Sequence, residues 1–95
     1  MARFEIAEFD SAALGSNTGA DAFFALAMTY ATSVPPDLVT AHKWFNIAAM
    51  RGSEEAARHR REIATEMSEA EIAAAQRAAR DWLQANGGIE YRAAA

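Results

Sequence analysis

Apolar side chains recur every three to four residues across most of the chain, from about residue 20 to residue 86. This spacing places them on one face of an α-helix. The pattern is interrupted three times: Pro35 and Pro36 cannot lie inside a helix, Gly52 suits the left-handed residue after a helix end, and Ser68 begins a new helix. The sequence therefore predicts four α-helices with short links, which pack as consecutive antiparallel hairpins.

Four side chains suit the position just before a helix, where an oxygen accepts a hydrogen bond from a free backbone N–H. We predict Asp21 for the first helix, Asp37 for the second and Ser53 for the third. Ser68 and Glu71 have the spacing of a capping box, in which each side chain binds the other residue's backbone N–H. These signals predict where each of the four helices begins.

Each predicted helix has an apolar stripe that we expect to face the core. Many positions in these stripes are alanine, whose small side chain lets helix axes approach to the short end of the usual ~8–10 Å. Trp44 and Tyr30 then fill the spaces that remain. The inward positions are Ala22, Phe23, Leu26, Ala27 and Tyr30 in the first helix; Leu38, Ala41, Trp44, Phe45 and Ala48 in the second; Ala56, Ala57, Ile63, Ala64 and Met67 in the third; and Ile72, Ala75, Ala79, Trp82 and Leu83 in the fourth.

The two ends of the chain have a different character. In residues 1–19, Phe4 and Ile6 alternate with other residues as in a short strand, and a predicted loop, Gly15-Ser16-Asn17-Thr18-Gly19, follows. We interpret this stretch as an extended arm, which is either frayed or docked through its apolar residues on a helical groove of this chain or of a partner. Residues 20–86 form the helical domain, and residues 87–95 form a loose tail.

The composition predicts a thin hydrophobic core. The 95 residues fit one domain, and 52% of them are hydrophobic, but 25 of these are alanine. Only 24 larger apolar side chains remain to build the core. In a chain of this size, burial barely offsets the conformational entropy lost on folding, so we expect a partner or self-association to cover additional apolar surface.

Charge and cysteine content exclude several classes of function. The formal net charge of −4 and the pI near 5.0 argue against nucleic-acid binding, because phosphate backbones attract basic proteins. The absence of cysteine excludes disulfides, thiol nucleophiles and zinc sites built on thiolates. There is no basic, apolar signal at the start and no apolar run near the ~20 residues of a membrane span, so we expect a cytoplasmic protein.

A set of small and aromatic residues lies at fixed spacing between Ala22 and Ala56. It reads Ala22-x-x-x-Leu26-Ala27-x-x-Tyr30, then Val34-x-x-Asp37-x-x-x-Ala41-x-x-Trp44-x-x-x-Ala48-Ala49-x-x-Gly52-x-x-x-Ala56. This stretch of about 35 residues resembles one near-complete Sel-1-like repeat, a helix-turn-helix relative of the tetratricopeptide repeat. The third and fourth helices are similar to a truncated next repeat and to the capping helix that follows the last repeat.

The resemblance implies an all-α fold of antiparallel helix hairpins of the superhelical repeat type. It also implies a scaffolding role: such repeats bind other proteins and have no catalytic activity or cofactor of their own. Two departures are visible: Ala27 replaces the usual glycine, and the link after Tyr30 lacks the family's glycine-rich turn. The residues that the resemblance makes structural are Ala22, Leu26, Tyr30, Asp37, Ala41, Trp44, Ala48, Ala49 and Gly52.

Stacked repeats of this kind usually number three or more, because each buries its faces on its neighbours. This chain carries about one and a half, which predicts uncovered apolar surface. Phe24, Met28, Ile47 and Met50 are apolar but lie off the main stripes of their helices. They are either covered by the arm or the fourth helix, or they form the surface that binds a larger protein.

Two alternatives to this partner-binding hypothesis remain open. Two chains can stack their incomplete repeats as a homodimer. A small regulator can instead bind an anion or acidic ligand through Arg58, Arg60 and Arg61, although these residues more often pair with nearby glutamates. Arg60 lies near the inward register, and we expect it to reach a carboxylate on another helix.

The sequence contains no recognisable set of catalytic residues. We therefore expect that the protein is not an enzyme and binds no cofactor. Glu55, His59 and Glu62 share one helix face at a spacing that metal ligands use, but ion pairs on a solvated face explain that spacing without a metal. The pair Gly87 and Gly88 ends a helix and begins none, so it predicts a cap and not a phosphate loop.

Overall fold

Four helices make up the part of the chain that the structure, a computed structural model, describes, which is residues 19–86. No strand occurs in this range. The predicted all-α fold, with four packed helices, is confirmed. The predicted arm lies outside the described residues except for Gly19, as does the predicted tail. The helices are α1 (Ala20–Ala31), α2 (Leu38–Met50), α3 (Glu54–Ala64) and α4 (Glu69–Asn86).

Local hydrogen bonds confirm three of the four predicted helix starts. Thr40 N–H donates to Asp37 Oδ1 at 3.1 Å before α2, and Ala56 N–H donates to Ser53 Oγ at 3.0 Å before α3. The capping box forms in both directions: Ser68 N–H donates to Glu71 Oε1 at 2.8 Å, and Glu71 N–H donates to Ser68 Oγ at 3.0 Å. These starts depend on neighbouring residues only, so the sequence is sufficient to predict them.

The prediction for the start of α1 is wrong. The residue that precedes the helix is Gly19, whose φ of 88° lies in the left-handed region, and Phe23 N–H donates to its carbonyl at 2.9 Å. Asp21 lies in the first turn instead. Its carboxylate is still favourable there, because the helix dipole is positive at this end.

The link between α1 and α2 closes without the glycine-rich turn of the Sel-1-like pattern. Asp37 N–H donates to the Tyr30 carbonyl at 3.0 Å. The Ser33 hydroxyl lies within hydrogen-bond distance of two carbonyls, Tyr30 at 3.0 Å and Pro35 at 2.9 Å. At the other end of α2, Gly52 has a φ of 107°, which confirms its predicted role as a left-handed cap.

Helix α2 is the centre of the fold, because α1, α3 and α4 all pack against it. Phe45 and Ile47, the largest fully buried side chains in the described range, both belong to α2. Phe45 lies among alanines of α1, α2 and α3, whereas Ile47 packs against Ala79 and Leu83 of α4. Two small clusters thus share one central helix.

Contacts between helix ends show that α1 and α2 are antiparallel. Arg51, which follows α2, lies over the ring of Phe23 near the start of α1, at 5.6 Å from the ring centroid. Helix α3 also packs on α2, where Arg60 reaches Asn46 and His59 stacks on Phe45. The prediction that the third and fourth helices pack as the next hairpin is wrong, because α4 packs mainly against α2 and not against α3.

One position that was predicted to face the core lies on the outside of α1, and this difference matters for function. Ala22 was expected to face the core but is exposed, whereas Ala27, Ala41, Ala48 and Ala56 are fully buried. Helix α1 is apolar almost throughout, so its sequence pattern does not distinguish the inward from the outward side. The side that faces α2 is decided by packing.

Truncating Phe45 should remove most of the stability of the fold. We expect Phe45→Ala to lower the free energy of unfolding by about 3–5 kcal/mol, because it leaves a cavity in a cluster whose other buried residues are all alanine. The matched control is Val34→Ala, at a side chain that is 97% exposed, which should change it by less than about 0.5 kcal/mol. Urea unfolding followed by circular dichroism measures both, and similar losses in the two variants would contradict the proposed core.

Candidate functional site

The four residues predicted to form one binding face lie in different environments. Ile47 is 0% exposed and is covered by Ala79 and Leu83 of α4, so its assignment to a partner-binding surface is wrong. The alternative, that the fourth helix covers it, is the one that the structure adopts. The sequence could not distinguish these outcomes, because an apolar residue off the main stripe is equally suited to a second packing contact.

The other three residues are less buried than Ile47. Phe24 and Met28 are half-buried against the cluster around Phe45, and Phe24 makes ring contacts with Phe45 at 5.7 Å and with His59 at 5.2 Å. Met50 is 50% exposed at the end of α2. Of the predicted apolar face, Met50 alone is exposed.

The arginines of α3 do not converge on one ligand. Arg58 and Arg61 are exposed, and Arg58 lies 3.8 Å from the carboxylate of Glu55 one turn away. Arg60 points toward α2 instead, where its Nη1 donates to Asn46 Oδ1 at 2.6 Å. Arg60 was expected to reach a carboxylate on another helix; it does reach another helix, but its acceptor there is an amide oxygen.

A half-buried aromatic cluster joins α1, α2 and α4. Phe23 stacks on Trp44 with centroids 5.6 Å apart, and Trp82 meets both rings edge to face, at 5.2 Å from Phe23 and 5.4 Å from Trp44. Lys43 Nζ lies 4.4 Å from the Trp44 ring centroid. Because each ring already contacts two others, this cluster is packing that holds three helices together and not an open cage for a ligand.

The outward side of α1 is the most unusual surface in the described range. We call the four residues Ala22, Ala25, Leu26 and Thr29 the outer face of α1. Ala22, Ala25 and Thr29 are exposed, Leu26 is half-buried, and the Thr29 hydroxyl donates to the Ala25 carbonyl of its own helix at 3.1 Å. The outer face therefore carries no charge.

The outward sides of α3 and α4 are composed differently. Surface helices usually place charged residues toward water, and these two helices follow that rule. Asp21, in the first turn, is the one charged residue within α1. The exposed charged positions of the other two are Glu54, Glu55, Arg58, Arg61 and Glu62 in α3, and Glu69, Glu71, Arg77, Arg80 and Asp81 in α4.

The residues considered for a metal site lie on α3, and His59 among them is engaged in other contacts. No group of three or more histidine, aspartate or glutamate side chains in residues 19–86 is arranged to hold a metal ion. The His59 ring stacks on Phe45 at 5.4 Å, and its Nδ1 lies 3.0 Å from the Glu55 carbonyl.

Within residues 19–86, no helix has the length and apolarity needed to cross a membrane.

Comparisons with protein-family models, with curated proteins and with solved structures find no match to this chain. The resemblance to Sel-1-like repeats therefore stays a prediction from the spacing of its residues. The sequence pattern does not identify the outer face of α1, because it places Ala22 and Leu26 on the inward stripe. The signal that could have found it is the absence of charged residues from α1 beyond its first turn.

Removing Trp82 should loosen α4. We expect Trp82→Ala to lower the free energy of unfolding by about 2–4 kcal/mol, near the lower end for large-to-small changes because the side chain is half-buried. Trp82→Phe keeps an aromatic ring in place and should lose less than half as much. Urea unfolding measures both, and a loss below about 0.5 kcal/mol for Trp82→Ala would show that the aromatic cluster does not hold α4.

Proposed function

We propose that this protein is a non-catalytic protein-binding module, an adaptor or accessory subunit in the cytoplasm, that packs the outer face of α1 against a helix of another protein. The observation that carries the proposal is that this face is largely exposed and carries no charge, whereas the exposed sides of α3 and α4 are charged. A helix that remains in water gains nothing from such a face. A helix that packs against another helix requires it.

The side chains of the outer face favour a helical partner. Ala22 and Ala25 add little bulk, so a second helix can approach to the short end of the usual ~8–10 Å interaxial distance. Leu26, already half-buried, provides one larger apolar contact. The Thr29 hydroxyl is bonded within its own helix, so its donor needs no partner there. Few polar groups would have to be desolvated on binding.

The resemblance to Sel-1-like repeats supports the same surface. Stacked helix-pair repeats bury the faces of each unit on the neighbouring units. The chain resembles one near-complete repeat and part of a second. The outer face of α1 belongs to the near-complete repeat and is largely exposed, so it is the face on which another helical unit would pack.

The other two hypotheses receive less support. In a homodimer the outer face would pack on a second copy of itself, and the mass of the purified protein in solution distinguishes this case. For an anion site built from three arginines, the geometry is unfavourable, because Arg60 is bound to Asn46 while Arg58 and Arg61 lie on the exposed side of α3.

A charge on the outer face should weaken partner binding and leave the fold intact. We expect Ala22→Arg to weaken binding at least about tenfold, or 1.4 kcal/mol, because the interface would have to bury a guanidinium. The matched control is Ala73→Arg, the same change at an exposed alanine of α4. Both variants should unfold within about 0.5 kcal/mol of the unmodified protein.

The binding measurement uses a photo-crosslinking residue placed at position 25 or at position 73 of the full chain in its native cells. We expect position 25 to give a discrete crosslinked product with another protein, which Ala22→Arg removes, and position 73 to give none. Sedimentation equilibrium of the purified chain should give the monomer mass. A crosslink to a second copy, or equal crosslinking from both positions, would overturn the proposal.

A further inference from the structure

His42 is a buried histidine whose ring is not fully satisfied. Its side chain is 3% exposed, and it is the one buried polar or charged residue in the described range. Its Nδ1 has no hydrogen-bond partner. A buried imidazole in this state tolerates the neutral form, whereas adding a proton would leave a charged N–H with no acceptor.

The charged group that acts on His42 comes from the facing helix. Arg60 of α3 is held near α2 by its hydrogen bond to Asn46, which follows His42 by one helical turn. Among the described residues, no ionisable group of α1 or α4 contributes to the electrostatics of His42. On its own helix, the adjacent Lys43 lies over the Trp44 ring. Both neighbouring charges are positive, so neither stabilises a second positive charge.

We propose that His42 makes the α2–α3 contact a pH-sensitive switch, closed while the imidazole is neutral and loosened when it gains a proton. Three structural facts carry this: the ring is buried, its Nδ1 is unpartnered, and the Arg60 guanidinium of α3 is bonded to Asn46, one helical turn from His42 on α2. Relief of the buried charge requires that water reach the ring. The direct way to admit water is to separate α3 from α2.

The direction of the effect follows from the two protonation states. Burial lowers the pKa of His42 below its usual value of 6.5, and the positive charge of Arg60 lowers it further; a weaker contact with the residue's own backbone acts in the opposite direction but does not satisfy Nδ1. The unfolded chain therefore binds this proton more readily than the folded chain. The contribution of neutral His42 to the free energy of unfolding is fully present above pH 6.5 and is lost as the pH falls from 6.5 toward the lower pKa of the folded state. The folded-to-unfolded ratio then falls by at most about tenfold per pH unit.

The test measures urea unfolding of the full chain at intervals from pH 7.5 to pH 5.5. We expect the folded-to-unfolded ratio of the unmodified protein to fall between pH 6.5 and 5.5, and the ratio of His42→Gln to change much less. The matched control is His59→Gln, which removes the other histidine and retains His42, so the pH dependence should remain. Equal pH dependence in the unmodified protein and in His42→Gln would overturn the proposal.

Two measurements on folded protein keep the test informative if His42→Gln does not fold. The NMR signal of the His42 ring should titrate with a midpoint below 6.5, and Arg60→Gln should move that midpoint upward by removing the facing charge. Amide hydrogen exchange, corrected for its intrinsic pH dependence, should show α3 losing protection at pH 5.5 before α1 does. A midpoint at or above 6.5, or a uniform loss of protection across all helices, would contradict a switch at the α2–α3 contact.

Discussion

The structure depends on one constraint: α2 must bury two sides of itself with one large side chain on each. Phe45 fills the contact with α1 and α3, and Ile47 fills the contact with α4, while alanines form most of the remaining buried surface. Small side chains let the helices approach closely, and close approach lets a single ring or branched chain occupy the space between them. The cost of this arrangement is a thin core in which each large residue has no substitute.

The same constraint explains why so many larger apolar residues are half-buried. With three helices around one, Phe23, Trp44 and Trp82 can contact each other only at the margins of the two clusters. Helix α1 is the extreme case, because one side of it packs on α2 and the other side is apolar without being covered in the described range. In α3 and α4, charge on the outward side makes exposure to water favourable. The outer face of α1 has no such charge. It is therefore the surface where burial against a partner helix would stabilise the protein most.

What the sequence could predict was local. The starts of α2, α3 and α4 depend on hydrogen bonds between residues three apart, and Gly52 depends on its own backbone, so these predictions are confirmed. The errors concern residues whose environment is decided by another helix. Neither Ala22 nor Ile47 has a local signal for its side of the helix, because the surrounding sequence is apolar in several directions at once. The start of α1 was missed for a related reason: Gly19 and Asp21 both suit the position, and the conformation of the preceding backbone decides between them.

The two proposed properties of the molecule meet at the α1–α2 pair. His59 of α3 contacts the rings of both Phe24 and Phe45, so α3 covers an apolar edge of the α1–α2 pair. If protonation of His42 separates α3 from α2, that edge becomes accessible to water, and Phe24 then adds an aromatic surface to a helix that already has an uncharged outer face. Acid would then both weaken the isolated fold and enlarge the apolar area open to a partner. Because a ligand that binds only the opened state shifts the equilibrium toward that state, a partner that covers Phe24 would bind more tightly at lower pH, and a partner confined to the outer face of α1 would not.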